Sequence, residues 1–360
     1  MDYQLELIDV AKQYKEFLAV DSVNLQIEKG EIVSFLGASG CGKTTTLRMI
    51  AGLIEPTRGT IRIQGCDMNG IPPHKRDISM VFQNYALFPH LSVYENIVYG
   101  LKTRKIKDKK VLMEKAREMM NLVQLEGVEN RLPKELSGGQ QQRVSLARAM
   151  IVEPKVMLFD EPLSNLDAKL REKTRVEIRN LLKKMNVTAI YVTHDQEEAL
   201  TISDRIAVMN KGRIEQITEP SSLYTRPATR FIAGFVGHAN IVEGSVTKAT
   251  EDRFAVKLTS GEEIWAKADP VKKASAGDGA VLIIRPENIR LHDEKPDKSN
   301  ILSGTVKAKI YLGSTLRYVI EMAGNNDFEV DLHTKDEGRA VEGDMIYLEL
   351  DENGLILVER

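Results

Sequence analysis

Cysteine is scarce in this sequence of 360 residues, which contains only Cys41 and Cys66. Neither cysteine belongs to a C-x-x-C pair or lies beside a group of histidines, so a disulfide scaffold and a structural zinc site are disfavoured. This cysteine usage fits the reducing environment of the cytosol.

Long apolar runs are also missing. No stretch approaches the ~18 uncharged apolar residues of a membrane-spanning helix, and the first residues lack the basic and then apolar pattern of a signal peptide. We therefore expect that the chain itself does not enter the membrane. The charges nearly cancel, with 50 Lys and Arg against 52 Asp and Glu, so no overall field attracts nucleic acid or an anionic membrane.

Length and composition indicate ordinary globular domains. At about 150 residues per domain, the chain is long enough for two or three domains. Hydrophobic residues make up 42% of the sequence and charged residues 28%, which argues against long disordered or low-complexity segments.

The pattern of residues 1–236 predicts an α/β domain. Short apolar runs alternate there with longer amphipathic segments, which is typical of a largely parallel sheet. Each of four runs ends at polar residues, where open α/β sheets usually hold their ligands. The four runs are Ile32–Leu36, Ile78–Phe82, Val156–Phe159 and Ala189–Thr193.

Strand signals fade between residues 84 and 150, so we expect a helical insertion there. Six basic residues between positions 102 and 110 lie within it. Asp108 interrupts this basic run and no aromatic residues interleave, so we interpret it as a solvated surface and expect no nucleic-acid partner.

After Gly237 the pattern changes to short alternating strands separated by turn residues. This predicts a small all-β domain over residues 237–360, with an OB-like or barrel-like architecture. No catalytic group of residues is apparent in it.

A candidate phosphate-binding loop follows the first apolar run. Gly37–Thr44 fits G-x-x-x-x-G-K-[ST] and precedes a predicted helix over Thr45–Gly52. Glycines let backbone N–H groups surround a phosphate, the Lys43 ammonium bridges the β- and γ-phosphates, and the Thr44 hydroxyl binds Mg²⁺. The candidate nucleotide-phosphate contacts are Gly37, Ser39, Gly40, Cys41, Gly42, Lys43, Thr44 and Thr45.

A second candidate anion site begins a predicted helix. A Ser-Gly-Gly sequence at a helix start exposes a hydroxyl and free N–H groups, although on its own it also fits an ordinary N-cap. The residues concerned are Ser137, Gly138, Gly139 and Gln140.

Two acidic residues close the third apolar run. Asp160 and Glu161 are adjacent at a strand end, and adjacent side chains on a strand point in opposite directions. One carboxylate is therefore expected to face Mg²⁺ and the other to act as base for an attacking water. Gln83 and His194 follow two other runs and are expected to reach the same γ-phosphate.

Taken together, these residues resemble the ATP-binding cassette (ABC) ATPases in their order and spacing, over about residues 4 to 235. The resemblance implies ATP hydrolysis with Mg²⁺ and a head-to-tail dimer of two copies. In that dimer, residues 137–140 of one copy and Asp167 contribute to the ATP site formed by Lys43 of the other.

The resemblance also assigns individual roles. Tyr14 is similar to the aromatic residue that stacks on adenine, Glu161 to the catalytic base, and His194 to the residue that senses the γ-phosphate. Gln83 resembles the glutamine that contacts Mg²⁺ and links to the transport subunits, and Asp167 resembles the carboxylate that organises the dimer seam. The implied metal ligands are Thr44, Gln83 and Asp160.

Residues 83–97 and 161–168 are more specifically similar to importer ATPases with a β-rich, TOBE-like C-terminal domain. This implies two transmembrane permease subunits, an extracytoplasmic solute-binding protein as an indirect partner, and a peripheral location at the cytoplasmic face of the cell membrane. Polyamine, phosphonate or ferric iron is the expected cargo. Four apolar residues are expected either to contact the permease or to fold into the insertion's core, namely Tyr85, Leu87, Phe88 and Leu91.

Three alternatives predict features that differ from those of this sequence. An ABC ATPase acting on nucleic acid or the ribosome predicts a second cassette, a long insertion or a basic surface, and the sequence has none of these. A GTPase needs N-K-x-D, whereas Asn210–Arg213 lacks the Asp. An inactive regulatory cassette would lack groups such as Lys43, Glu161 and His194, which are present.

Overall fold

The chain divides into two units between Ser221 and Ser222. The computed structural model describes residues 3–268, 274–323, 327–336 and 340–359. The sequence placed the boundary later, at 236/237. The difference arises because the helix Arg230–Phe235 buries Ala233 against the strand Gly279–Ile284, so that this helix packs with the second unit.

The first unit alternates strands and helices along the chain. Its strands are β1 (Leu5–Tyr14), β2 (Phe17–Ile27), β3 (Ile32–Leu36), β4 (Arg58–Ile63), β5 (Cys66–Asp67), β6 (Ile78–Val81), β7 (Val156–Asp160), β8 (Ala189–Thr193), β9 (Arg205–Asn210) and β10 (Arg213–Thr218). Its helices are α1 (Lys43–Ile50), α2 (Val93–Thr103), α3 (Lys109–Leu122), α4 (Gly138–Met150), α5 (Ala168–Lys184), α6 (Gln196–Ile202) and α7 (Pro220–Thr225), the last of which spans the division.

A central sheet with the order β10-β9-β3-β8-β7-β6 organises the first unit. Its strands from β9 to β6 pair in parallel, and β10 pairs antiparallel with β9. In β8, Ala189 and Tyr191 join one apolar cluster while Ile190 and Val192 join the cluster on the opposite face. Burial on both faces explains the continuous apolar runs, and the predicted α/β fold is confirmed.

A second sheet and a helical segment cover the two faces of the central sheet. The antiparallel sheet β2-β1-β4-β5 contributes Leu5, Leu7 and Ile27 to one cluster. Residues 84–150, all of which the structure describes, contain α2, α3 and α4 and no strand. Across the described ranges, no helix is both long enough and apolar enough to cross a membrane.

The second unit consists mainly of two antiparallel sheets. After α8 (Arg230–Phe235), the described strands are β11 (Asn240–Ala249), β12 (Arg253–Leu258), β13 (Glu263–Lys267), β14 (Gly279–Ile284), β15 (Ile289–His292), β16 (Ile301–Tyr311), β17 (Thr315–Met322), β18 (Asp327–His333), β19 (Met345–Leu350) and β20 (Leu355–Val358). The sheet orders are β13-β12-β11-β14-β20 and β15-β19-β16-β17-β18. Their inner faces share one core that includes Val256, Leu282, Tyr318 and Leu348, which confirms the predicted all-β, OB-like class.

A buried arginine holds the start of the second unit on this sheet. The Arg285 guanidinium donates hydrogen bonds to the carbonyl oxygens of Ala233 (3.0 Å), His238 (2.9 Å) and Tyr224 (2.9 Å). It also lies 4.0 Å from the centre of the Tyr224 ring. Burial, together with the hydrogen bond from the Tyr224 hydroxyl to Glu287, raises the pKa of Tyr224 to about 12.

Replacement of this arginine tests how far the second unit depends on it. We expect Arg285→Met to lower the unfolding free energy of the second unit by at least about 3 kcal/mol, because three carbonyl oxygens lose their donor in a buried site. Calorimetry of the full chain measures the effect. Arg290→Met, at an exposed position of β15, is the matched control, and equal stability of the two variants would contradict the prediction.

Candidate active site

The loop between β3 and α1 approaches neighbouring atoms so closely that two of its positions exclude a side chain. A Cβ at Gly37 would lie 2.4 Å from Met209 O and 2.6 Å from Cys41 Sγ. A Cβ at Gly42, where φ is +106°, would lie 2.7 Å from Ala19 O. The packing of this loop therefore requires the glycines that the sequence pattern contains.

The start of α1 presents backbone donors. Gly42 is the N-cap residue and supplies no side-chain cap, and first-turn N–H groups have no partner within a helix. The N–H groups of Lys43, Thr44 and Thr45 thus form an anion-binding helix start. Ser39 and Gly40 lie exposed at the tip of the preceding loop.

The Lys43 side chain is held inside the loop. It is only 5% exposed, and its ammonium donates hydrogen bonds to Gly37 O (2.7 Å) and Ala38 O (2.9 Å). The Cys41 sulfur lies 3.8 Å from the same nitrogen. The loop therefore concentrates one buried positive charge next to the backbone donors of α1.

Two oxygen ligands meet beside this loop. The Thr44 hydroxyl donates to the Asp160 carboxylate at 3.2 Å, across the gap between α1 and the end of β7. Burial raises the pKa of Asp160, and the hydrogen bond from Thr44 opposes that rise. Hydroxyl and carboxylate oxygens are the hard ligands that Mg²⁺ prefers, so this pair fits such an ion.

Glu161, directly after Asp160, has an unusual backbone conformation. Strand β7 ends at Asp160, and Glu161 has a φ of +47°, in the left-handed region that costs a side-chain-bearing residue free energy. Its carboxylate lies 3.0 Å from His194 Nδ1. The structure thus brings together the acidic residue and the histidine that follow two neighbouring strands.

Gln83 lies at the same edge of the sheet, where its backbone contacts the loop that Glu161 begins. It is exposed, two residues after the end of β6. Its backbone carbonyl accepts a hydrogen bond of 2.8 Å from the Asn165 side chain. Asn165, which sequence reasoning did not select, lies between Glu161 and Asp167 and therefore ties their loop to the segment after β6.

The second candidate anion site starts α4 as a capping box. The Ser137 hydroxyl accepts from the Gln140 N–H at 3.3 Å, and the Gln140 side chain accepts from the Ser137 N–H at 3.0 Å. The hydroxyl hydrogen of Ser137 is left to donate elsewhere. Gly138 is exposed and Gly139 half-buried, so this helix start is accessible from outside the chain.

The remaining predicted residues lie at the surface. Tyr14 ends β1 with 43% of its surface exposed, and the Lys12 ammonium lies 5.2 Å from the centre of its ring. Asp167 is the exposed N-cap of α5 and accepts from the Leu170 N–H at 3.0 Å. Sequence reasoning missed Arg171, one turn further along α5, which contacts both Leu166 and Asp195.

Family models match both parts of the chain. The model described as ABC transporter matches residues 20–164. The TOBE domain model matches residues 282–358. The first match contains the Lys43 loop, the Ser137 helix start and the Asp160–Glu161 pair, and the second lies within the second unit.

Individual relatives extend over most of the chain. The spermidine/putrescine import ATP-binding protein PotA of Thermobifida fusca is 44% identical over 351 residues, which cover 96% of this chain and 90% of that protein. The Fe(3+) ions import ATP-binding protein FbpC of Brucella melitensis is 47% identical over 323 residues, covering 90% of this chain and 89% of that protein.

A solved structure of an ATP-binding cassette also matches the chain. The dimeric structure of a post-hydrolysis state of the ATP-binding cassette MJ0796, bound to ADP and Pi, matches with a TM-score of 0.54 and 33% sequence identity. The match covers 60% of this chain and 98% of that one. The resemblance drawn from the sequence is confirmed: the chain belongs to the ABC transporter family of ATPases and carries a TOBE domain in its second unit.

Proposed function

We propose that this chain is the ATP-hydrolysing subunit of an importer whose cargo is a polyamine or ferric iron. The observation that carries the proposal is the cluster at one edge of the central sheet. There the Thr44–Asp160 and Glu161–His194 pairs lie beside the Lys43 loop. The import functions in the names of the PotA and FbpC relatives support the direction of transport and the cargo class.

One set of these residues binds ATP and its metal ion. Backbone N–H groups of residues 37–45 and the Lys43 ammonium bind the phosphates of ATP. Thr44 and Asp160, with Gln83, would hold Mg²⁺, which when bound neutralises charge on the β- and γ-phosphates. Tyr14 stacks on the adenine.

Hydrolysis depends on the second pair. The Glu161 carboxylate accepts the proton of the attacking water, and His194 holds that carboxylate through its Nδ1. Glu161 and His194 follow the neighbouring strands β7 and β8, whose pairing brings the two side chains together.

A single substitution separates binding from hydrolysis. We expect Glu161→Gln to lower turnover by about 10²–10⁴-fold, since it removes the general base, while ATP binding persists. Steady-state ATPase assays and ATP titration measure the two effects. Glu172→Gln on the exposed face of α5 is the control, and near-normal turnover of Glu161→Gln would contradict the assignment.

We further propose that two copies form each ATP site between them. The accessible helix start at Ser137 and the Lys43 loop are two separate anion-binding elements of one chain. The match to a dimeric ATP-binding cassette supports a dimer. In the proposed dimer, residues 137–140 of one copy contact the γ-phosphate bound by the other, and Asp167 lies at the seam.

Mixing two inactive variants tests this shared site. Lys43→Ala removes the phosphate lysine, and Ser137→Arg blocks the helix start, so each variant alone is expected to be inactive. A mixed dimer contains one site in which both elements are intact. ATPase activity should therefore appear on mixing, and full activity of either variant alone would rule out shared sites.

The proposed permease contact lies in the segment after Gln83, whose apolar residues divide between the core and the surface. Tyr85 is only 5% exposed and belongs to the core. Leu87 also packs against the core. Phe88 is half-buried, and its ring centre lies 4.4 Å from that of Tyr99, which is 45% exposed. Phe88 and Tyr99 together form the apolar surface that we propose for the permease.

Phe88→Asp tests this surface in the assembled transporter. We expect the isolated variant to keep its ATPase activity and thermal stability, because the ring lies at the surface of the helical segment. Association with the permease and uptake into reconstituted vesicles should be lost. Lys105→Asp, at an exposed position after α2, is the control for added negative charge, and normal uptake by Phe88→Asp would exclude the contact.

The importer assignment also implies a location and a further partner. We propose that the chain binds at the cytoplasmic face of the membrane, with two permease subunits and, through them, a solute-binding protein. Purification of the native complex tests this together with the cargo. Recovery of RNA or ribosomes instead of membrane subunits would favour the alternative of an ABC ATPase that acts on nucleic acid.

A further inference from the structure

Two loops carry the proposed hydrolytic pair. The carboxylate loop, residues 161–167, connects β7 to α5 and begins with Glu161. The histidine loop, His194 and Asp195, connects β8 to α6. The contact of 3.0 Å between Glu161 and His194 joins the loops at one point, and their relative position determines whether that contact is kept.

A single arginine joins the same loops at a second point. Arg171 Nη2 donates to the backbone oxygen of Leu166 at 3.0 Å, next to Asp167 in the carboxylate loop. Its Nη1 donates to the Asp195 carboxylate at 3.3 Å in the histidine loop. The Arg171 side chain is 29% exposed, so water screens these contacts only partly.

The histidine loop is hydrogen-bonded on both sides of His194. The Asp195 N–H donates to Thr193 Oγ1 at 2.9 Å, and the Thr193 hydroxyl donates to Glu198 at 2.8 Å. Asp195 also caps α6 by accepting from the Glu198 N–H at 3.1 Å. The Asp195 carboxylate therefore belongs to a hydrogen-bond network that includes both residues flanking His194.

The carboxylate loop is similarly braced. The Ser164 hydroxyl donates to Glu161 O at 2.9 Å, and the Leu166 N–H donates to Leu163 O at 3.1 Å. Contacts thus run from Glu161 through His194 and Asp195 to Arg171, and return through Leu166 to Glu161. Arg171 closes this ring of contacts.

We infer that Arg171 is a positioning residue for hydrolysis, which keeps the His194 ring in contact with the Glu161 carboxylate by fixing the distance between the two loops. This inference rests on the proposed roles of Glu161 and His194. The guanidinium is suited to the task because its planar fork donates to two acceptors in a fixed geometry, whereas the ammonium of lysine is a point charge on a flexible stem.

The inference predicts a selective loss of turnover. In the full chain, we expect Arg171→Lys to lower kcat by about 10- to 100-fold, since small misplacements of catalytic groups have effects of that size. ATP affinity should stay within about two-fold, because Arg171 contacts no residue of the Lys43 loop. A purely structural role would instead lower the melting temperature and leave kcat per folded molecule unchanged.

A second variant changes Asp195, the partner of Arg171 in the histidine loop. Asp195→Asn keeps an N-cap residue for α6 but loses the charge that Arg171 binds. This variant should also lower kcat. The double variant Arg171→Lys with Asp195→Asn should raise the activation free energy by less than the sum of the two single changes, as expected for residues in contact. If Arg171→Lys does not fold, Asp195→Asn decides the question.

The control removes a neighbouring ion pair between α5 and α6. Glu197 on α6 binds Arg175 on α5 at 2.9 Å and touches neither loop. Glu197→Gln should therefore keep the wild-type kcat. Near-normal kcat in both Arg171→Lys and Asp195→Asn would overturn the inference. Normal turnover of Glu161→Gln would instead overturn the proposed base, which distinguishes the two failures.

Discussion

The central sheet of the first unit is buried on both faces, and this constraint determines where its polar chemistry is found. Strands such as β3 and β8 have no solvent-facing side, so a charged group within them would lose its hydration without compensation. Because the strands run parallel, their carboxyl ends share one edge. Lys43, Asp160, Glu161 and His194 are therefore collected at the boundary between the dry interior and the surface.

This location gives the groups unusual properties. The Lys43 charge is buried among backbone oxygens, and burial raises the pKa of Asp160. Burial disfavours the charged form of an isolated group. Both the Lys43 ammonium and the Asp160 carboxylate are therefore stabilised by a ligand of opposite charge. A metal ion bound there would offset the desolvation of Asp160, just as bound phosphate oxygens would offset that of Lys43. The left-handed Glu161 adds local strain that the packing around the loop maintains.

At the carboxyl edge of the central sheet, the sequence predicted the strands and the phosphate-binding loop better than the geometry of the individual residues. A glycine loop followed by Lys and Thr has a narrow set of structures, and the apolar runs identified β3, β7 and β8 almost to the residue. Alternation along a strand, from which the sequence predicts opposite directions for Asp160 and Glu161, does not extend to Glu161. The strand ends at Asp160, and the positive φ of Glu161 depends on tertiary contacts that no local pattern encodes. The role of Arg171 also depends on tertiary contacts. From the sequence alone, an arginine in the first turns of a helix is expected to be an ordinary surface residue.

The segment after Gln83 connects this edge to the rest of the unit. Tyr85 and Ala86 both have positive φ values, and their carbonyl oxygens are held by Arg148 of α4 at 2.9 and 2.7 Å. The carbonyl of Gln83 is held by Asn165 of the carboxylate loop. One short segment is thus bonded both to the helix that Ser137 begins and to the loop that Glu161 begins. Because the carboxylate loop holds the carbonyl of Gln83 and α4 holds those of Tyr85 and Ala86, the segment that leads to Phe88 links this loop to α4.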